Sequence, residues 1–399
     1  AVSAETPVDG KTGVNIGTKV TASFTRALQP ATVNGTTFVL KNASGTSVPA
    51  TVSYDSSANV ATLTPTAALQ YGSAYRAVLV AGGVKDLAGN PLAAEVSWSF
   101  TTESSPPPLL VVTSSSNPFG MYLTEILRNE GLDAFSTLDT SLLSASVLSN
   151  FDVVLLSDAS LTSGQVTTLT NWVNGGGNLI AMRPNSALST LLGITAASGT
   201  AFSNAYLKVD TATAPGAGIA SDTIQYHGAA DRYTLSGAQA ITTIYSNATT
   251  ATTFPAVTLR DVGTSGGQAA AFTYDLAKSV VQTRQGNPAW AGQERDGQSP
   301  IRSDDLFFGG SSTDWVNLSK VSIPQADEQQ RLLGNLIQIM NRDKKPLPRF
   351  WYFPRSLKAV VIATGDDHGN GGTAGRFDQY AANSPAGCSV ADWTGLRSS

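Results

Sequence analysis

The first hundred residues alternate apolar and polar side chains in short runs, and turn residues such as glycine, asparagine and aspartate separate these runs. Alternation with a period of two is the pattern of a strand that buries one face. Strands are therefore predicted at 19–25, 37–42, 50–55, 59–65, 74–82 and 95–102. No useful length of this segment has helical periodicity. About seven short strands in such a length indicate an immunoglobulin-like β-sandwich over residues 1–103.

The pattern changes after residues 104–108, where consecutive prolines favour an extended, semi-rigid linker. Continuous apolar runs, typical of buried parallel strands, follow. They predict strands at 109–116, 132–139, 151–159 and 178–184. Helical periodicity predicts helices at 119–131 and 162–177, the second with Ser163 as its N-cap. This order of elements indicates a doubly wound parallel sheet of flavodoxin type, within an α/β domain that spans residues 109–345.

Two later segments of the α/β domain also have clear patterns. Residues 255–275 predict a β-hairpin in which Asp275 closes the second strand. Residues 323–345 predict a helix, because Pro324 lies near its start, acidic residues follow in the first turn and basic residues stand at its end. Its apolar stripe is expected to face the core and consists of Leu332, Leu333, Leu336, Ile337 and Met340.

The composition of the chain argues against several kinds of partner and site. The 25 basic and 29 acidic residues give a formal charge of −4, which does not favour nucleic acid, since its binders normally present a basic face. A single cysteine, Cys388, excludes an intrachain disulfide, and two histidines exclude a three-histidine metal site. We find no signal peptide and no run of about 18 apolar residues that would span a membrane. We therefore expect a mature exported protein, either secreted, periplasmic or at the bacterial cell surface.

Segments of the predicted sandwich, including "PVDGKTGV", "VTASFTRALQPATV" and "GGVKDLAGNPL", resemble the bacterial Ig-like domain of S-layer and other surface proteins. Such modules space or present other domains. Asp86 and Asn90, in the turn "KDLAGN", offer the oxygen ligands that Ca²⁺ prefers. The alternative is an Asx-type turn that closes a hairpin.

The strands "FDVVLLSD" and "NLIAM", with "WVNGGG" between them, resemble the class I glutamine-amidotransferase-like superfamily. Its active members carry a cysteine on a strand-to-helix elbow, with a histidine and a glutamate downstream. Residues 109–345 contain no cysteine, so amidotransferase chemistry of this kind is excluded. Their one histidine, His227, lies near Asp231 and Arg232 and could act as a general base. The alternative is a structural histidine hydrogen-bonded within the domain.

Residues 284–310 lose all periodicity, and a long irregular loop in a compact domain is often functional. Trp290 could stack on a sugar ring while charged side chains bind its hydroxyl groups. The charged candidates are Arg284, Arg295, Asp304 and Asp305. The alternative is a structural loop whose charges pair with one another.

Residues 346–399 resemble the start of a NodB-type polysaccharide deacetylase, because the apolar strand 358–364 ends in Gly365-Asp366-Asp367-His368. The resemblance implies that Asp366 is the catalytic base and that Asp367, with His368 beside it, holds Zn²⁺ or another divalent metal. Gly365 and His368 replace the usual phenylalanine and glycine, and no histidine follows to supply the second motif. We therefore expect an incomplete domain that belongs to a longer parent protein. Cys388 has then either lost its partner with the missing part or is a buried free thiol. The alternative for the acidic pair is a solvated or paired cluster at a domain interface.

Together these features predict a secreted or surface carbohydrate-active protein that acts on a polysaccharide or a cell-wall glycan. The first hypothesis is the N-terminal part of a metal-dependent polysaccharide deacetylase, inactive as this fragment. The second is a non-catalytic surface, adhesion or assembly protein whose α/β domain is a pseudo-amidotransferase.

Overall fold

The computed structural model describes residues 1–310 and 313–344, with 347, 349, 374, 375, 378, 379 and 382. The chain divides into two units after Phe350, and the account below concerns the first of them. The deacetylase-like motif and Cys388 lie outside the described residues. Among the described residues, we find no helix that is both long and apolar enough to cross a membrane.

The N-terminal segment is a sandwich of two four-stranded sheets, with orders β1-β3-β6-β5 and β2-β8-β7-β4. Its strands are β1 Val2–Thr6, β2 Lys11–Val14, β3 Val20–Phe24, β4 Phe38–Asn42, β5 Ala50–Asp55, β6 Val60–Pro65, β7 Ala74–Leu79 and β8 Val96–Thr102. Inward residues of both sheets form the core, where the rings of Phe38 and Trp98 lie 5.8 Å apart. The six predicted strands are confirmed. β1 and β2 were missed, because neither buries an alternating face.

The second segment is built on a nine-stranded sheet of order β10-β9-β11-β12-β21-β20-β19-β15-β16. The first five of these strands run parallel, in an order known from doubly wound α/β sheets. They are β9 Leu109–Thr113, β10 Phe135–Asp139, β11 Val153–Leu156, β12 Asn178–Met182 and β21 Gly267–Phe272. The four parallel strands predicted from the sequence are thus confirmed. Their residues are almost all buried because helices cover the sheet.

The sheet continues with four antiparallel strands that the sequence did not predict as its extension. These strands are β15 Tyr206–Val209, β16 Ile224–Gln225, β19 Gln239–Tyr245 and β20 Ala251–Val262. Two short pairs lie outside the sheet: β13 Ile194–Ala196 with β18 Tyr233–Leu235, and β14 Phe202–Ser203 with β17 Ala229–Ala230.

Six α-helices are present among the described residues of the first unit. They are α1 Tyr122–Asn129, α2 Ala145–Leu148, α3 Ser163–Asn174, α4 Ser189–Leu192, α5 Leu276–Gln285 and α6 Gln325–Met340. The N-cap of α3 is Thr162 and not Ser163 as predicted, because Thr162 forms a capping box with Gln165. The predicted apolar stripe of α6 is buried as expected, although the helix ends before the basic residues that were predicted to close it.

The hairpin predicted at 255–275 is formed by β20 and β21. The prediction that Asp275 closes the second strand is wrong. Asp275 caps α5 by accepting the backbone N–H of Lys278 at 3.0 Å. The sequence analysis missed α5, whose polar and charged residues dilute its helical pattern.

The segment between sandwich and sheet is anchored at both ends. Glu103 is partly buried and accepts hydrogen bonds from the hydroxyl of Ser136 in β10 at 2.8 and 2.9 Å. The carbonyl of Pro108 accepts the backbone N–H groups of Asp152 and Val153. Gly17 faces β10 so closely that a Cβ atom there would lie 3.0 Å from the carbonyl oxygen of Thr137. The linker prediction missed these contacts, because they join residues far apart in the sequence.

Candidate functional site

A polar cleft of about 350 Å³ opens at the carboxyl ends of the parallel strands. Asn117 follows β9, Asp158 follows β11, Arg183 follows β12 and Asp275 follows β21, and all four line the cleft. Lys278 reaches it from the first turn of α5. Ligands of open α/β sheets bind in the crevice beyond this edge, where the order of the strands reverses. The cleft is therefore the candidate functional site.

Arg183 is the central residue of the cleft. Its backbone lies in the left-handed region, at φ +39°, which is uncommon for a residue other than glycine and typical of strained functional positions. Its guanidinium donates two parallel hydrogen bonds to Asp231, from Nε at 3.1 Å and from Nη2 at 3.0 Å. Its Nη1 lies 3.6 Å from Oδ2 of Asp158. The paired geometry fixes the plane of the guanidinium, and the hydrogen bond with Asp231 raises the pKa of Arg183.

Asp158 is the least satisfied acid of the cleft. Burial raises the pKa of its carboxyl, and nearby Asp275 and Asp231 add to this effect, while Arg183 opposes it. Its side chain is still 37% exposed, so a ligand can reach it. A hydroxyl or a cation from a ligand would supply the donor that this carboxylate lacks.

Asn117 and Asp275 fix the opposite side of the cleft. The amide Nδ2 of Asn117 donates to Oδ2 of Asp275 at 3.0 Å and to the carbonyl of Asp158 at 3.2 Å. Its Oδ1 accepts the backbone N–H of Phe119 at 2.9 Å. Three strand ends are thereby joined in one hydrogen-bonded network.

An aromatic wall completes the cleft. The ring of Phe119 lines it, and Nζ of Lys278 lies 5.8 Å from the ring centroid. Tyr122, in the first turn of α1, has its ring centroid 6.4 Å from that of Phe119 and is 42% exposed. The cleft therefore offers charged groups and an apolar ring surface side by side.

His227 does not meet Asp231, although the sequence suggested that the two act together. Asp231 binds Arg183 in the cleft, while Arg232 lies over the rings of Phe202 and Phe254. His227 is buried and stacks on Trp315, with ring centroids 4.2 Å apart and planes at 10°. The expected proximity of His227 to Asp231 and Arg232 therefore does not bring their side chains together, and the role of His227 as a general base stays a prediction.

The imidazole of His227 has an apolar environment. Its Nδ1 is buried with no hydrogen-bond partner in the described structure, and its backbone N–H donates to the hydroxyl of Ser279 at 3.1 Å. Burial lowers the pKa of His227 to about 4. A neutral ring in this position packs the domain, and the nearby hydroxyl of Ser279 is itself buried and donates to Gln329 at 2.8 Å.

Three charged candidates of the loop 284–310 have partners in α6, an aromatic ring and the backbone, whereas the structural alternative expected charges that pair with one another. Arg295 lies over the ring of Trp290, 4.0 Å from its centroid, and covers one face of it. Asp305 is 1% exposed and accepts the backbone N–H groups of Arg295, Asp296 and Arg302. Arg284 pairs with Asp327 of α6.

The remaining acids of that loop do not gather at the cleft. One carboxylate oxygen of Asp304, Oδ1, is buried and has no hydrogen-bond partner among the described residues. The carboxylates of Glu294, Asp296 and Asp305 approach one another within 4.8 Å, but those of Asp305 and Glu294 already accept backbone N–H groups. Residues 284–310 thus form a folded loop, and the sequence did not foresee how its acids are satisfied.

Asp86 and Asn90 contact one another in the sandwich. Oδ1 of Asp86 accepts the backbone N–H of Asn90 at 2.9 Å, and the amide of Asn90 donates to the same carboxylate. These bonds are the turn-closing arrangement that was the alternative to a calcium site. The calcium site itself stays a prediction.

Sequence reasoning missed the residues that line the cleft: Asn117, Asp158, Arg183, Asp275 and Lys278. Ser116, in the polar run that follows β9, also lines the cleft. The sequence signal that could have found these residues was their position, because a polar residue closely follows each of four parallel strands.

Comparison with known proteins identifies the first segment. Residues 1–102 match the family of bacterial Ig-like domains, and no curated protein matches the chain. Among solved structures, an exo-β-1,4-mannosidase from Opitutaceae bacterium strain TAV5 is 16% identical over 45% of this chain and 33% of its own, with a TM-score of 0.35. A β-galactosidase from Rahnella sp. R3 is 15% identical over 45% and 32%, with a TM-score of 0.34.

The N-terminal part of the bacterial S-layer protein SbsC is 23% identical over 27% of this chain and 24% of its own, with a TM-score of 0.21. The chain spans about a third of the length of the two glycosidases. Residues 1–102 of this chain form a bacterial Ig-like domain.

Proposed function

We propose that this chain is part of a secreted or cell-surface bacterial protein whose α/β domain binds a polysaccharide or cell-wall glycan in the cleft, without catalysing its hydrolysis there. The observation that carries the proposal is Arg183, held at φ +39° and fixed by Asp231. The bacterial Ig-like domain supports the location, since such modules present other domains on surfaces.

The position of Arg183 explains why we infer binding rather than catalysis. Strand β12 ends at Met182, and helical turns begin at Ser186, so Arg183 lies on a strand-to-helix elbow. In the amidotransferase-like proteins that 109–184 resembles, a strained elbow of this kind carries the nucleophile. A guanidinium stays protonated and donates hydrogen bonds only, so it cannot attack a carbonyl. An arginine at such an elbow therefore turns a nucleophile position into a binding position.

The chemistry of the cleft suits a sugar. Asp158 can accept hydroxyl hydrogen bonds, while Lys278 can donate to ring and hydroxyl oxygens. Phe119 offers an apolar surface for the C–H face of a pyranose. Three carboxylates, from Asp158, Asp231 and Asp275, outnumber the two cations, so the cleft disfavours glycans that carry anionic groups.

Titration calorimetry of the whole chain against neutral and anionic polysaccharides tests the proposal. We expect binding to a neutral glycan, and Arg183→Ala to weaken it about ten- to a hundredfold, as expected for charged hydrogen bonds. Arg76→Ala is the matched control, because it removes another exposed arginine–carboxylate pair in the sandwich. Wild-type protein that binds no glycan, or an Arg183→Ala variant that binds as wild type does, would overturn the proposal.

A second function rests on the sequence motif at 364–368, which resembles the first motif of polysaccharide deacetylases. Under this hypothesis Asp366 takes a proton from water, and Asp367 and His368 hold a divalent metal. Metal content and acetate release from acetylated oligosaccharides, measured on a protein extended past Ser399, test it. Asp367→Ala should lower both. An extended protein that holds no metal and releases no acetate removes this hypothesis and leaves glycan binding in the cleft unaffected.

A further inference from the structure

We infer that the cleft is one end of a longer binding surface that continues over the first turn of α1, so that the site holds a glycan chain and not a single sugar. This inference rests on the proposed function. The surface, called here the α1 platform, consists of Phe119, Met121 and Tyr122. The ring of Phe119 belongs to both the cleft and the platform.

The exposure of the α1 platform is unusual for this chain. Met121 is 51% exposed and Tyr122 is 42% exposed, one directly after the other. Among the described residues, Tyr122 is the only aromatic side chain that is classed as exposed. The other exposed large apolar residues are aliphatic, and many of them stand alone on turns. Isolated apolar residues of that kind are normal on a protein surface.

The geometry connects Tyr122 to the charged part of the cleft. Its ring centroid lies 6.4 Å from that of Phe119, and the ring planes are inclined by 37°. The ammonium of Lys278, which lines the cleft, lies 5.8 Å from the centroid of the Phe119 ring, whereas Tyr122 does not line the cleft. Charged groups, a half-buried ring and an exposed ring thus follow one another outward from the cleft.

This sequence of groups fits a linear glycan without anionic groups. One sugar unit placed at Asp158 would satisfy the polar groups of the cleft and cover Phe119. The next unit along the chain would meet Tyr122, whose ring can bury the apolar face of a pyranose. Met121 can adapt its flexible side chain to the edge of such a unit. Affinity should therefore rise with the length of the chain.

Calorimetry of the whole protein with cello-oligosaccharides and chitooligosaccharides of one to six units tests the inference. In at least one series, affinity should rise about three- to tenfold between one and three units, the gain expected from one aromatic contact. Tyr122→Ala should abolish this rise and leave the affinity for the single sugar within about twofold. Tyr122→Trp should restore it, because an indole offers a larger face.

Leu87→Ala serves as the control, since Leu87 is a 67% exposed apolar residue in the sandwich. The affinity of Leu87→Ala for these oligosaccharides should depend on their length as that of the wild type does. Affinity independent of length, or a rise that persists in Tyr122→Ala, overturns the platform while binding in the cleft stands. Wild-type protein that binds neither series at any length overturns both proposals for these glycans.

Discussion

His227 should make the α/β domain sensitive to acid. The imidazole is 3% exposed, and burial lowers its pKa from 6.5 to about 4. In the unfolded chain the ring takes up a proton below about pH 6.5, but the folded domain resists protonation until about pH 4. The unfolded state therefore binds more protons between these values, and the stability of the fold decreases as the pH falls through this window.

The magnitude follows from the two pKa values. At pH 5, an unfolded pKa of 6.5 and a folded pKa of about 4 give a loss of about 2 kcal/mol relative to neutral pH. At pH 4 the loss is about 3 kcal/mol. Burial raises the pKa values of Asp158 and Glu103, and their contributions have the opposite sign, because acid relieves the cost of burying a charge. A comparison of variants is needed to separate these effects.

His227→Phe removes the titration and keeps an aromatic ring against Trp315. Urea unfolding, followed by tryptophan fluorescence at pH 7 and pH 5, gives the free energy of unfolding of each protein. The wild type should lose about 2 kcal/mol more than His227→Phe over this interval. Because each protein is compared with itself, a change in packing cancels. His227→Gln, which also lacks the titration, should behave like His227→Phe.

An equal loss in the wild type and in both variants, within about 0.5 kcal/mol, would refute the reasoning. It would mean that water or a rearranged side chain reaches Nδ1 and compensates the charge. Stacking on Trp315 at 4.2 Å would then not exclude solvent from the ring.

Three further predictions concern stability and are measured as shifts in urea unfolding. Leu336→Ala, in the buried stripe of α6, should cost about 2–5 kcal/mol through the cavity it leaves, while Gln338→Ala, a partly exposed position on the same helix, should cost much less. Thr162→Ala should cost about 1 kcal/mol by removing the cap of α3, and Thr162→Ser should recover most of it. Glu103→Ala should cost about 1–3 kcal/mol, because the buried hydroxyl of Ser136 loses its acceptor, and Glu103→Gln should cost less.

The elements of this chain could be predicted where one physical signal dominated. The parallel strands read as continuous apolar runs, because helices cover the sheet and leave few polar positions. The sandwich strands read as alternation, because only one face is buried. Helix α5 was not predicted, because six of its ten residues are polar or charged and its packing against α6 and α1 exists only in the folded domain.

The candidate site could not be read in the same way. Its residues come from four strand ends that are distant in sequence, and only the parallel topology brings Asn117 to Asp275. His227 and Asp231 looked like partners because they are four positions apart. Gly228, at φ +93°, turns the chain between them and directs the two side chains into different environments. Local spacing therefore suggested a pair that the backbone separates.

The role of the loop 284–310 could not be predicted from the sequence for a related reason. A dense set of charged side chains around a tryptophan is what a sugar site also requires, so composition could not decide between the two. The choice between a sugar site and a structural loop depends on how many backbone N–H groups an irregular loop leaves without partners. Asp305 accepts three of them, and the loop thus uses its acids to satisfy its own backbone.

The cleft differs from that loop in the hydrogen-bonding capacity that its charged groups still have for a ligand. Arg183 is held in place by Asp231, and Asn117 by Asp275, so neither pair has to reorganise when a ligand enters. The carboxylate of Asp158 forms an ion pair with Arg183 at 3.6 Å but accepts no hydrogen bond from the described residues, so this partly buried group gains most from a new donor. A rigid frame around one unsatisfied acceptor favours affinity, because little conformational entropy is lost on binding. That combination of fixed pairs and one open acceptor is why we propose that this cleft recognises a ligand.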